Sequence, residues 1–90
     1  MIAKQVYFEG RVQGVGFRWT TRDIAKGFDV VGSVKNLIDG RVEMQVQGDD
    51  DEVDEFIQEI RDSSLAHHIQ GFEVRDIPLM DNVKGFTIVK

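Results

Sequence analysis

The chain has 90 residues, 41% of them apolar, with one proline and no cysteine. A chain of this length serves one hydrophobic core, and its composition is that of a folding globule, so we expect a single domain over residues 1–90. The lack of cysteine excludes disulfides, thiol catalysis and thiolate-held metals, and leaves nothing that points to an oxidising compartment.

The formal charge is −5, but it is unevenly spread: residues 1–36 carry a net +3 and residues 37–90 a net −8. Phosphate neutralisation supplies most of the affinity for nucleic acid, so an acidic chain makes a poor general partner for it. A basic cluster inside an acidic chain suits a small anionic ligand better. The first ten residues alternate and include Lys4 and Glu9, which reads neither as a signal peptide nor as a membrane span. The expectation is a cytoplasmic protein with no membrane partner.

In chain order, Lys4–Arg11 reads as a strand, with Val6 and Phe8 alternating against Tyr7 and Glu9. Gly10–Phe17 is a glycine-rich loop. From Arg18 to about Phe28 the apolar residues Ile24, Ala25 and Phe28, with Phe17 and Thr21 before them, recur at helical spacing. Asp29–Asn36 is a second strand and Arg41–Gln47 a third, in which Val42, Met44 and Val46 alternate strictly. Asp39-Gly40 between them supplies the positive-φ position a tight turn needs. A second helix spans roughly Asp50–Asp62 with the stripe Val53, Phe56, Ile57, Ile60, and the carboxylates Asp49–Glu52 stand where the helix dipole and a capping side chain favour them. A strand near His68–Arg75 and a short last strand, Gly85–Val89, follow.

No linker, repeat or low-complexity tract interrupts this order. It is βαββαβ with an extra short strand. One-sided alternation in the strands and one apolar stripe on each helix predict an α+β, ferredoxin-like sandwich: a mostly antiparallel sheet with two helices packed on one face. Such an architecture hosts many functions and decides none.

The chemistry concentrates in Gly10-Arg11-Val12-Gln13-Gly14-Val15-Gly16-Phe17-Arg18. Three glycines in nine residues can be a flexible connection and no more. Three details argue otherwise. No Ser, Thr, Asp or Asn stands before the helix to cap its unpartnered amides. The glycines let successive N–H groups turn towards one point, as in an anion-binding nest. Arg18 lies in the first helical turn, where the dipole disfavours a cation. A phosphate that accepts the orphan amides, sits at the positive end of the helix and pairs with the Arg18 guanidinium would resolve all three. The spacing matches neither G-x-x-x-x-G-K-[ST] nor G-x-G-x-x-G, so nucleotide and dinucleotide folds are unsupported.

G-R-V-Q-G-V-G-F-R resembles the signature loop of the acylphosphatase family, small enzymes that hydrolyse carboxyl-phosphate anhydrides. Gly32-Ser33-Val34-Lys35-Asn36, then Asp39-Gly40-Arg41-Val42-Glu43 and Gly48, resemble that family's second segment, and length, element order and Phe86-Thr87-Ile88-Val89 also agree. The resemblance implies that Arg18 is the phosphate-binding arginine. It implies that Val12, Gln13, Gly14, Val15, Gly16, Phe17 and Arg18 offer backbone amides to the phosphate, and that Asn36 positions the attacking water. The implied substrate is a small acyl phosphate, with inorganic phosphate as product and competitive inhibitor, no cofactor, no metal and a monomeric state. Ser33, where the family usually has an aromatic residue, and Phe8, where an aliphatic one is common, depart from the pattern and bear on packing rather than chemistry.

The chemistry stands without the family. A carboxylate whose conjugate acid has a pKa of roughly 4–5 leaves as an anion at neutral pH without a general acid. The protein then needs only to hold the phosphoryl group, spread its charge and orient water. Taken alone, Arg18 is a surface cation and Asn36 a turn-side asparagine; the loop motif reverses that reading.

Other residues offer less. The adjacent His67 and His68 are expected on opposite sides of a strand, unsuited to a shared metal. Asp49-Asp50-Asp51-Glu52 lacks calcium-loop spacing. Trp19 is expected to pack at the core or rim, and Arg11 to support the loop. Two alternatives of other classes remain: an RNA-binding ferredoxin-like domain, which the acidity and the lack of aromatics in the third strand oppose, and a non-catalytic small-anion-binding module. A third is a piece of a longer carbamoyl-transfer protein; Met1 and an end just after the last strand favour a free-standing enzyme.

Overall fold

The first strand is built by alternation. Val6 and Phe8 are fully buried on one side, while Gln5 and Tyr7 face the other. The computed structural model describes residues 1–90 and contains strand β1 (Ile2–Gly10), helix α1 (Phe17–Ala25), β2 (Val30–Asn36), β3 (Val42–Gly48), α2 (Asp50–Asp62), β4 (Ile69–Ile77) and β5 (Phe86–Val89). The sheet order is β4-β1-β3-β2-β5. Every neighbouring pair is antiparallel except β2 and β5, which run parallel. The expected ferredoxin-like sandwich is therefore present, with β5 as the added strand beside β2.

Register places the apolar positions in one layer. Val6 stands opposite Met44 and Val74, and Val34 opposite Met44 and Ile88. Over that layer lie Phe17 and Ala25 of α1 and Val53, Phe56, Ile57 and Ile60 of α2, completing one core. Phe56 is its pivot: its ring meets Phe28 at 5.7 Å and, edge-on, Phe86 at 5.4 Å. Phe8, one of the two family departures, lies fully buried with its ring 5.0 Å from Phe17, which opens α1. Ser33, the other, sits in the middle of β2 between Gln45 and Thr87, away from the core.

Several elements differ from expectation. Helix α1 ends at Ala25 rather than near Phe28, because Lys26, Gly27 and Phe28 close the helix with bonds to the carbonyls three residues back. His67 and His68 lie in a short 3-10 helix, Ser64–His68, not on opposite sides of a strand. That helix starts where the Ser63 hydroxyl accepts from the Leu65 amide at 3.1 Å. Helix α2 has Asp50, Asp51 and Glu52 in its first turn, as its dipole favours, but Asp49 makes no side-chain cap. Glu52 instead accepts the Asp29 amide at 2.7 Å and fixes the entry to β2.

The chain leaves β1 through an irregularity that aims the following loop. Pairing with β4 shifts between Glu9 and Gly10. Gly10 has φ 122°, and a Cβ there would lie 2.4 Å from the His68 carbonyl oxygen. Only glycine fits, and the bend carries residues 11–16 over the end of the sheet.

Candidate active site

Two buried side chains pin the loop that follows. Val12 and Phe17 are 1% and 2% exposed, while Gly14, Val15 and Gly16 between them face solvent. Gly14 and Gly16 have φ 76° and 77°, left-handed values that curl the backbone at no steric cost. Gly16 is the N-cap of α1 and supplies no side chain, so the first internal helical bond is the Thr20 amide to the Gly16 carbonyl, at 3.0 Å. The amides of Gln13 through Trp19 donate to no backbone carbonyl. Unpartnered amides beside the positive end of a helix dipole are the groups an anion would need.

Gln13 has a role that the sequence did not reveal. Its side-chain amide donates to the Leu37 carbonyl at 2.7 Å and to the Arg41 carbonyl at 2.9 Å. Leu37 follows Asn36 directly, so this fork ties the loop to the end of β2. In sequence Gln13 is merely polar; only the fold brings it to the β2–β3 turn. That turn is itself braced. The Asp39 carboxylate accepts from the Arg41 amide at 3.0 Å and from its Nε at 2.9 Å. The Arg41 amide bond, followed by the guanidinium, holds the Asp39 carboxyl below the usual carboxylate range.

Arg18 and Asn36 meet in one cleft of about 720 Å³, lined also by Trp19, Arg22, Phe86, Thr87, Ile88 and Lys90. Gln13, Gly14, Val15 and Gly16 do not line that cleft. Arg18 makes no ion pair; its Nη1 donates to the Val89 carbonyl at 3.3 Å. The Oδ1 of Asn36 is buried and without a hydrogen-bond partner. Leaving a buried acceptor unsatisfied costs about 1–3 kcal/mol, so such an atom calls for an explanation.

Trp19 is not core. It is 65% exposed, with the Arg22 guanidinium stacked 4.2 Å from its ring centre. Arg11 is exposed, and its amide donates to the His68 carbonyl at 3.0 Å, a backbone support for the start of the loop. His67 and His68 follow the C-terminus of α2 and line no part of the cleft.

The acylphosphatase family model matches residues 4–88. The acylphosphatase of Lactobacillus johnsonii is 42% identical over 81 residues, covering 89% of each chain. That of Archaeoglobus fulgidus is 36% identical over 88 residues, covering 98% of each. The crystal structure of the Bacillus subtilis acylphosphatase superposes with a TM-score of 0.91 at 30% identity over the full length of both chains. The chain belongs to the acylphosphatase family, and it is an enzyme.

Proposed function

We propose that the chain hydrolyses acyl phosphates by direct attack of water on phosphorus. The observation that carries this reading is the cleft that Arg18 and Asn36 both line, next to a loop of unpartnered amides, with Asn36 Oδ1 left without a hydrogen-bond partner. The guanidinium and the amides of Val12–Arg18 hold the phosphoryl oxygens and spread their charge. Asn36 Oδ1 accepts a hydrogen bond from the water and aligns it opposite the leaving oxygen.

The water oxygen forms a bond to phosphorus as the bond from phosphorus to the acyl oxygen breaks. That bonding pair leaves with the carboxylate. The water proton ends on the phosphate, so a dianionic acyl phosphate gives one carboxylate and one dihydrogen phosphate. No side chain exchanges a proton, which suits an amide as the positioning group. All the named groups come from one chain, so a monomer carries the whole site. Inorganic phosphate occupies the same amides as product and competes with substrate.

The test is hydrolysis of benzoyl phosphate by the purified protein, with excess chelator present and inorganic phosphate titrated. Turnover that persists under chelation and is competitively inhibited by phosphate is the expected result. Phosphate binding without turnover would leave an anion-binding module, and absence of both would remove the reading altogether.

A further inference from the structure

Beyond Arg18, the cleft holds a second guanidinium that hydrolysis of a simple acyl phosphate leaves unused. Arg22 lies one turn further along α1, about 6 Å along the helix axis. It is half-buried and, like Arg18, takes part in no ion pair, although the chain carries sixteen carboxylates against eleven Lys and Arg. The neighbouring Asp23 does not neutralise it, because that carboxylate meets Lys26 Nζ at 3.4 Å. No Asp or Glu side chain lines the cleft. The Arg22 guanidinium lies 4.2 Å from the centre of the Trp19 ring, a cation–π contact that supplies no negative charge to neutralise it. A cation held in place, unpaired and facing a shared cleft is a preorganised anion receptor.

Resting on the phosphoryl-end reading above, we propose that Arg22, held by Trp19, determines specificity at the acyl end, selecting acyl phosphates whose acyl group carries a second anion. With the phosphoryl group on Arg18 and the loop, the acyl portion extends along the cleft towards Trp19 and Arg22. The indole offers an apolar wall to the carbon skeleton, and the guanidinium takes a terminal carboxylate or phosphate. This contact is the same before and during bond cleavage at phosphorus, so it acts on KM and leaves kcat alone.

The experiment compares 4-carboxybenzoyl phosphate with benzoyl phosphate, which differ by the distal anion. Wild-type protein is expected to favour the carboxylated substrate in kcat/KM through a lower KM, with the preference fading as salt is raised. Arg22→Gln should reduce the ratio of the two kcat/KM values about tenfold, the size of one lost charge-assisted contact. Arg22→Lys should restore part of it. A ratio near one in wild type, or a ratio untouched by Arg22→Gln even as the melting temperature falls, overturns the assignment and leaves Arg22 a helix-stabilising partner of Trp19. Lack of any benzoyl phosphate turnover by wild type instead overturns the hydrolytic reading beneath it, so the two failures are told apart.

Discussion

Gln13 donates its side-chain amide to the Leu37 carbonyl at 2.7 Å, and that single bond joins the phosphate-loop candidate to the strand end that carries Asn36. The two halves of the site come from distant stretches of sequence. Their relative position is therefore set by this fork as well as by the sheet. Gln13→Ala should lower stability by about 1–2 kcal/mol, the net worth of two neutral hydrogen bonds. It should also weaken inhibition by phosphate. Thermal melts together with phosphate inhibition constants check this, and an unchanged inhibition constant would separate loop geometry from the tie.

Asn36 and Arg18 are expected to fail differently. Asn36→Ala should reduce turnover by roughly 10²–10³ while largely keeping phosphate affinity, because it removes only the group aimed at water. Arg18→Ala should lose both. Steady-state kinetics with phosphate as inhibitor distinguish the two, and wild-type turnover in Asn36→Ala would refute the water-positioning role.

Strong acid should loosen the β2–β3 turn. The Asp39 carboxyl titrates below its ordinary value of 3.8 because the Arg41 amide, then the guanidinium, stabilise its charged form. A depressed folded-state pKa contributes stability that is complete above the unfolded value and is lost as pH falls through the folded one. The stability gap between wild type and Asp39→Asn should therefore be constant near neutrality and close below about pH 4. Melting temperatures across that range provide the check; a gap that widens in acid would contradict the sign.

Gly32 should tolerate no side chain. Its φ is +156°, and a Cβ there would lie 1.9 Å from the Gln45 carbonyl oxygen, while its amide donates to Gly85 at 2.9 Å. Gly32→Ala is expected to cost roughly 3 kcal/mol, the upper range for a strained backbone position, and to detach β5 from β2. Denaturant unfolding measures the first and amide exchange at Phe86–Val89 the second.

The elements with strong periodicity were legible from residues alone. Val42, Met44 and Val46 alternate, and Val53, Phe56, Ile57 and Ile60 recur at helical spacing, because each set faces one core. The end of α1 was less legible, since Phe28 keeps the helical apolar spacing while its backbone has already turned, and tertiary packing on Phe56 retains the side chain. The short 3-10 helix was hidden because a local Ser63 bond, not periodicity, starts it. At the site, Arg18 and the glycines stand out in the loop pattern, whereas Asn36 enters only through the family resemblance. The Gln13 hydrogen bonds and the contact between Arg22 and Trp19 could not be read from sequence, because each depends on geometry that only the fold supplies.

The sheet topology sets an order of assembly. β1 precedes every other strand of the sheet, yet Ala3 stands between Gln47 on one side and Ile77 on the other. Its second neighbour consists of residues 69–77, far from it in sequence. Closing loops of that size delays pairing until residues 69–77 are available, a non-local topology of the kind that folds slowly. The curl of residues 11–16 leaves from the end of β1, so this loop takes its final shape late, only once residues 69–77 are available to pair.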